Sequence, residues 1–130
     1  MNRRSCIRTA LAAAYAAASA RAAETPRHIQ LHCDLAVAPG REEEMLKNFE
    51  TIFRPAAKKQ PGYIDVRVLK LRDAIRGTPP PGTKFQFVLD FESEEMRQKW
   101  IATATHAKVW PSIENTLSDK NFSILVYDVY

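Results

Sequence analysis

The side chains able to do chemistry are few, and most are aromatic. His106 lies in the run Thr105-His106-Ala107-Lys108-Val109-Trp110. Its imidazole exchanges a proton near neutral pH. Trp100 and Trp110 flank it, and either indole can wall a pocket for a flat molecule or pack in a core. Phe85, Phe87 and Phe91 share one side of an alternating run, and the same two readings apply to them. An imidazole leaning over such rings at the mouth of an apolar cavity could take the proton of a phenol or hydroquinone. An imidazole that only packs at a helix junction could not. A second group, His32, Asp34 and Asp90, reads either as an acid–base or metal cluster or as hydrogen-bonded pairs on a polar sheet face. Cys33 reads as a buried, inert thiol. No CxxC or Cys/His pair has structural-zinc spacing, so no structural metal is expected.

These residues sit on elements that periodicity makes visible. In 28–38, Ile29, Leu31, Cys33, Leu35 and Val37 alternate with Gln30, His32, Asp34 and Ala36. That is a strand with one buried face, ended by Pro39-Gly40. From Arg41 to about Lys59, Met45, Phe49, Ile52, Phe53 and Ala56 make a helical stripe, and Glu42, Glu43 and Glu44 suit the first turn. Pro55 should kink or restart this helix. A second strand runs from Tyr63 to Leu71, with Ile64, Val66 and Val68 on its inner face. A proline-rich loop over 72–83 follows. The third strand, Lys84 to Glu92, puts Phe85, Phe87, Leu89 and Phe91 on one face and Gln86, Val88 and Asp90 on the other. Ser93 is an N-cap for a helix carrying Trp100. A loosening at Thr103 to Thr105 precedes a second helical piece with His106, Val109, Trp110 and Ile113. The last strand runs from Asn121 to Tyr130, with Phe122, Ile124 and Val126 on one face.

The order is β-α-β-β-α-β, the ferredoxin-like α+β split: a four-stranded antiparallel sheet with helices on one face. The other face is left bare. Val88 and Leu69 on that side would meet water in a monomer. A two-fold pairing of sheets into a dimeric α+β barrel would cover them, so a homodimer is expected.

The first 22 residues belong to a different compositional world. Arg3 and Arg4 precede an alanine-rich run, and Ala20-Arg21-Ala22 offers a small-residue cleavage site. This is the layout of a bacterial export signal. The run Arg3-Arg4-Ser5-Cys6-Ile7-Arg8 resembles the twin-arginine motif, with Cys6 where a phenylalanine is usual. The expected domain is therefore 23–130, periplasmic or secreted, with no stable membrane association after cleavage near Ala22. The leader holds four of the 19 basic residues and none of the 15 acidic ones. The remainder is formally neutral, which argues against a nucleic-acid surface. Cys6 leaves with the leader, so Cys33 has no disulfide partner within the chain.

From about His28 to Tyr130 the chain resembles the antibiotic-biosynthesis-monooxygenase-like family of dimeric α+β barrels. The carriers are Ala38-Pro39-Gly40-Arg41 and Gln60-Pro61-Gly62-Tyr63, then Phe87-Val88-Leu89-Asp90-Phe91-Glu92-Ser93-Glu94-Glu95, and Trp100 followed by Thr105-His106-Ala107-Lys108-Val109. The stress-responsive dimeric barrel family uses nearly the same phrases. The resemblance implies a pocket between sheet and helices that takes a quinol or phenol without metal or flavin. His106 would be the catalytic residue, with Trp100, Trp110, Phe85, Phe87, Phe91 and Cys33 lining the pocket. In the haem-degrading branch an asparagine, a tryptophan and a histidine act together. Aligning Gly40 and Trp100 with that pattern puts Cys33 at the asparagine place and Trp110 at the histidine place, so the axial ligand is missing. The alternatives on the same fold are a non-enzymatic dimeric ligand-binding or stress-related barrel and a muconolactone-type isomerase.

Overall fold

The computed structural model describes residues 26–130; the expected leader and its cleavage site lie outside the described residues. Strand β1 is Ile29–Leu35. Helix α1 is Glu42–Asn48, followed by a π-helical turn, Phe49–Phe53, and by α2, Arg54–Lys58. Then come β2, Tyr63–Lys70, and β3, Phe85–Phe91. Three short helices follow, α3 at Glu94–Ile101, α4 at Ala104–Val109 and α5 at Pro111–Glu114, before β4, Ile124–Asp128. The strands form one sheet in the order β2-β3-β1-β4, each pair antiparallel. This is the expected ferredoxin-like arrangement.

Strand β1 alternates in burial as its sequence alternates in polarity, with Ile29, Leu31, Cys33 and Leu35 all inside. It pairs with β3 so that Leu31 faces Leu89 and Cys33 faces Phe87. Met45, Phe49, Phe53 and Ala57 close the core from the first helical segment, and Trp100, Val109 and Ile113 from the second. Pro55 restarts the first segment, as its chemistry requires. It has no N–H to give the carbonyl of Thr51 four residues back, and the chain widens into the π turn just before it. Such wide turns recur at functional sites, and this one delivers Phe53 to the core.

Five details depart from the sequence expectation. Ile52, placed in the helical stripe, is 41 % exposed next to the buried Phe53. Ile64 is 43 % exposed rather than inside, because the β2–β3 register slips between Tyr63 and Asp65. A bulge of this kind turns the extra residue outward. Val88 is buried within a single chain. It lies between His32 on β1 and Arg67 on β2, whose long side chains can shelter a small residue on a central strand. Thr103 does more than loosen a helix. It is the N-cap of α4, and its Oγ1 accepts from the His106 backbone N–H at 3.1 Å. Finally, β4 begins only at Ile124, and Phe122 packs ahead of it, against Trp110.

Candidate functional site

A cavity of about 190 Å³ lies between the sheet and the second helical segment. Its floor is Leu31, Cys33, Phe87 and Leu89 from the two central strands, with Ile124 from β4. Its roof is Phe53, Arg97, Trp100, Ile101, His106 and Trp110. Local sequence chemistry positions this roof. Ser93 caps α3 by accepting from the Met96 N–H at 3.2 Å, and Glu94 and Glu95 sit in the first turn where the helix dipole favours them. Gly62, at φ +84°, lets Met96 lie against its backbone; a Cβ there would stand 2.3 Å from the Met96 sulfur. That close approach draws α3 onto the sheet. The Thr103 cap then starts α4 at the point where His106 falls over the cavity.

The rings meet mostly edge to face, the arrangement their quadrupoles favour. Phe53 contacts Phe87 at 5.1 Å, Trp110 at 6.0 Å and Trp100 at 6.1 Å between centroids. His106 meets Trp100 edge-on at 5.1 Å and lies nearly parallel to Trp110 at 6.3 Å. Stiff rings held at these angles cannot fill all the space between them, and the cavity is what remains.

Burial depresses the His106 pKa, and the nearby Arg97 charge depresses it further. The imidazole is therefore biased toward its neutral form, the form that accepts a proton. Arg97 is tied to Glu94, with Nε donating to Oε2 at 2.7 Å and Nη2 to Oε1 at 2.5 Å. This fork holds the Glu94 carboxyl below its ordinary range, with a further hydrogen bond from Gln98. Burial, assisted by Asp34 and Glu114, pushes the Cys33 thiol up to about 12. Cys33 is thus a wall and not a nucleophile. Trp100 is 2 % exposed, and its Nε1 has no acceptor among the described residues. A buried donor left unpaired costs about 1–3 kcal/mol.

Of the residues singled out in the sequence, His106, Trp100, Trp110, Phe87 and Cys33 come together around this cavity. Phe85 and Phe91 do not line it. Residues two apart on a strand are separated by nearly 7 Å, so only the middle of the phenylalanine stripe reaches the void. Phe91 is fully buried beneath Tyr63, and Phe85 faces shallow grooves at the other end of β3. Sequence reasoning missed Leu31, Phe53, Leu89, Arg97, Ile101 and Ile124 as lining residues. For Arg97 a signal existed: it precedes Trp100 by one helical turn and so shares its face.

The other expected cluster, on the open side of the sheet, is tied into hydrogen bonds with neighbouring side chains, and Gln30 links His32 to Asp90. Asp90 accepts from Gln30 at 3.2 Å and pairs with His28 at 2.8 Å. His32 bonds Gln30 at 2.6 Å, and Asp34 accepts from Gln86 at 3.3 Å. Among the described residues no group of three such side chains gathers to hold a metal.

No protein-family model and no curated protein matches this sequence. Solved structures share its fold. A candidate antibiotic biosynthesis monooxygenase from Bordetella bronchiseptica superposes with TM-score 0.64 at 15% identity, over 80% of this chain and 98% of that one. A variant of SnoaB, a cofactor-independent oxygenase from Streptomyces nogalater, gives 0.61 at 10% identity, over 78% and 91%. A dimeric ferredoxin-like protein of unknown function from Jannaschia gives 0.61 at 17% identity, over 79% and 98%. At these identities the likeness shows the fold alone.

Proposed function

We propose that the cavity binds one small electron-rich aromatic ring, a phenol or quinol, and that the chain oxygenates it without a protein-bound cofactor. One observation carries this reading: a ring-sized apolar void has a half-buried imidazole, biased to its neutral form, in its wall. An apolar cavity of about 150 Å³ holds benzene, so about 190 Å³ accommodates one substituted ring. The fold shared with a cofactor-independent oxygenase supports the reaction class.

The chemistry balances with dioxygen alone. The ring hydroxyl loses its proton to His106, and the phenolate gives an electron to dioxygen. The two radicals combine at a ring carbon bearing hydrogen. His106 returns the proton to the peroxide, and loss of water leaves a quinone. One oxygen atom enters the product and the other leaves as water. General acid–base help of this kind is worth about 10²–10⁴-fold. Screening quinols and naphthols for oxygen uptake should therefore find a substrate that the protein consumes. His106→Ala should lose about that factor while keeping its circular dichroism. Equal rates in parent and variant would reduce His106 to a packing residue and favour a non-enzymatic binding barrel.

The working unit in this reading is a homodimer. Leu69, Leu125 and Tyr127 stay roughly half exposed on the open face, the face a second sheet would cover, and a fold neighbour is dimeric. Light scattering on the protein should give twice the chain mass; a monomer at micromolar concentration would contradict this. The reading also places the protein outside the cytoplasm, on the strength of Arg3, Arg4 and the alanine run. Lysine at both arginine positions should hold the precursor inside the cell, and unchanged export would remove the twin-arginine assignment.

A further inference from the structure

The cavity wall carries one charged side chain, Arg97, and the mechanism above gives it no task. Its surroundings are unusual. The side chain is only 13 % exposed, whereas that of its partner Glu94 is 37 % exposed. Glu94, the more exposed partner, holds the guanidinium through Nε and Nη2. The remaining nitrogen, Nη1, makes no side-chain hydrogen bond to Glu94 and is not a fully buried atom. One helical turn further along α3 stands Trp100, whose buried Nε1 is without an acceptor among the described residues. Residues three apart on a helix are neighbours on its surface, so the two side chains share one side of α3 and both line the cavity.

We propose that Arg97 is a specificity-determining residue, whose guanidinium edge not bonded to Glu94 selects a ring bearing an ionisable hydroxyl and holds that oxygen as the phenolate. This rests on the cavity being a ring site, as argued above, and names what the site selects for. A hydrogen bond from a charged donor to an anionic oxygen is about twice as strong as one between neutral groups. Fixed donors aimed at developing charge in a water-poor site need no reorganisation when the charge appears. The Arg97 charge is felt inside the cavity, because it opposes protonation of His106. The cation thus acts on the cavity, paired with a carboxylate more exposed than itself. Of the other titratable groups in the wall, Cys33 remains a protonated thiol, which leaves His106 to receive the proton from the hydroxyl.

The test uses 4-nitrophenol, a one-ring probe whose phenolate is coloured, with the full chain. Binding and ionisation are read separately, the first by equilibrium dialysis and the second by absorbance against pH. Bound to the parent protein, the probe should ionise at a lower pH than it does free, by about one unit, a tenfold preference for phenolate. Arg97→Met should bind the ring but return its ionisation to near the free value. Glu94→Gln removes the counter-charge and should move ionisation further down, the opposite direction. A merely structural contribution of the pair would move stability in both variants and ionisation in neither. If Arg97→Met does not fold, Glu94→Gln still decides the matter. Binding with the same ionisation midpoint in parent and variants would overturn the role of Arg97 and leave the ring site standing. Failure of the parent to bind either 4-nitrophenol or toluene would instead overturn the ring site, and this proposal with it.

Discussion

Strand β3 is buried on both faces, by two different means. Toward the helices it presents Phe85, Phe87, Leu89 and Phe91, sealed by aromatic rings from two helical segments. Away from them it presents Val88 and Asp90, at 2 % and 6 % exposure, with only neighbouring strands to cover them. The polar side solves its problem with hydrogen bonds and charge: His28 and Gln30 bond one carboxylate, and the Arg67 guanidinium lies 3.9 Å from it. The apolar side solves its problem with ring contacts, and rigid rings leave a gap. The difference teaches where to look for a ligand. A hydrogen-bonded network spends its donors on itself, whereas the apolar side keeps a void and a spare indole N–H.

The strongest way to break this contrast is to truncate the ring that most of the others touch. Phe53 is 1 % exposed and contacts Phe49, Phe87, Trp100 and Trp110. Phe53→Ala should cost about 3–5 kcal/mol in urea unfolding, with any residual ring binding lost. A cost under about 1 kcal/mol would mean that the roof collapses freely and that the cavity is soft. On the opposite side, Asp90→Ala removes the acceptor at the centre of the network. Hydrogen bonds to charged groups are worth about 1.5–3 kcal/mol, so a loss in that range is expected, with ring binding unchanged. A change in ring affinity would show that the two faces are coupled through β3.

The smallest effect concerns acid. An unfolded histidine takes its proton near pH 6.5, whereas His106 in the fold takes it at lower pH, because burial and then Arg97 oppose the charged ring. Between those two points the unfolded chain binds more protons, so stability falls as pH drops through the window and levels off below the folded value. Relative to His106→Ala, the parent should lose stability on acidification below about pH 6.5. A parent that gained stability there would place His106 beside an acid instead.

Much of this architecture is written in period-two and period-four patterns. Strand β1 needed nothing beyond its alternation, because each inward residue is apolar and each outward one mostly polar. Ser93, Pro55 and the glycine before Tyr63 mark their boundaries by chemistry that acts over three or four residues. The misreadings arose where distance in sequence gives no warning. Ile64 continues an apolar alternation, yet the bulge that expels it is a property of the β2–β3 pairing. Val88 owes its burial to residues on two other strands. The site was half legible: the aromatic types and His106 stood out, but which of three phenylalanines reaches the void depends on register. Arg97 was not singled out, because its burial depends on where α3 lands on the sheet.

The central claim is that a ring enters the helix-covered face and not the open one, and nuclear magnetic resonance reads this directly. With 1-naphthol added to isotope-labelled protein, intermolecular Overhauser contacts are predicted to the Trp100 indole N–H, the His106 ring and the Ile124 methyls. Contacts to Tyr127 and His32 in their place, or none at millimolar ligand, would contradict the account.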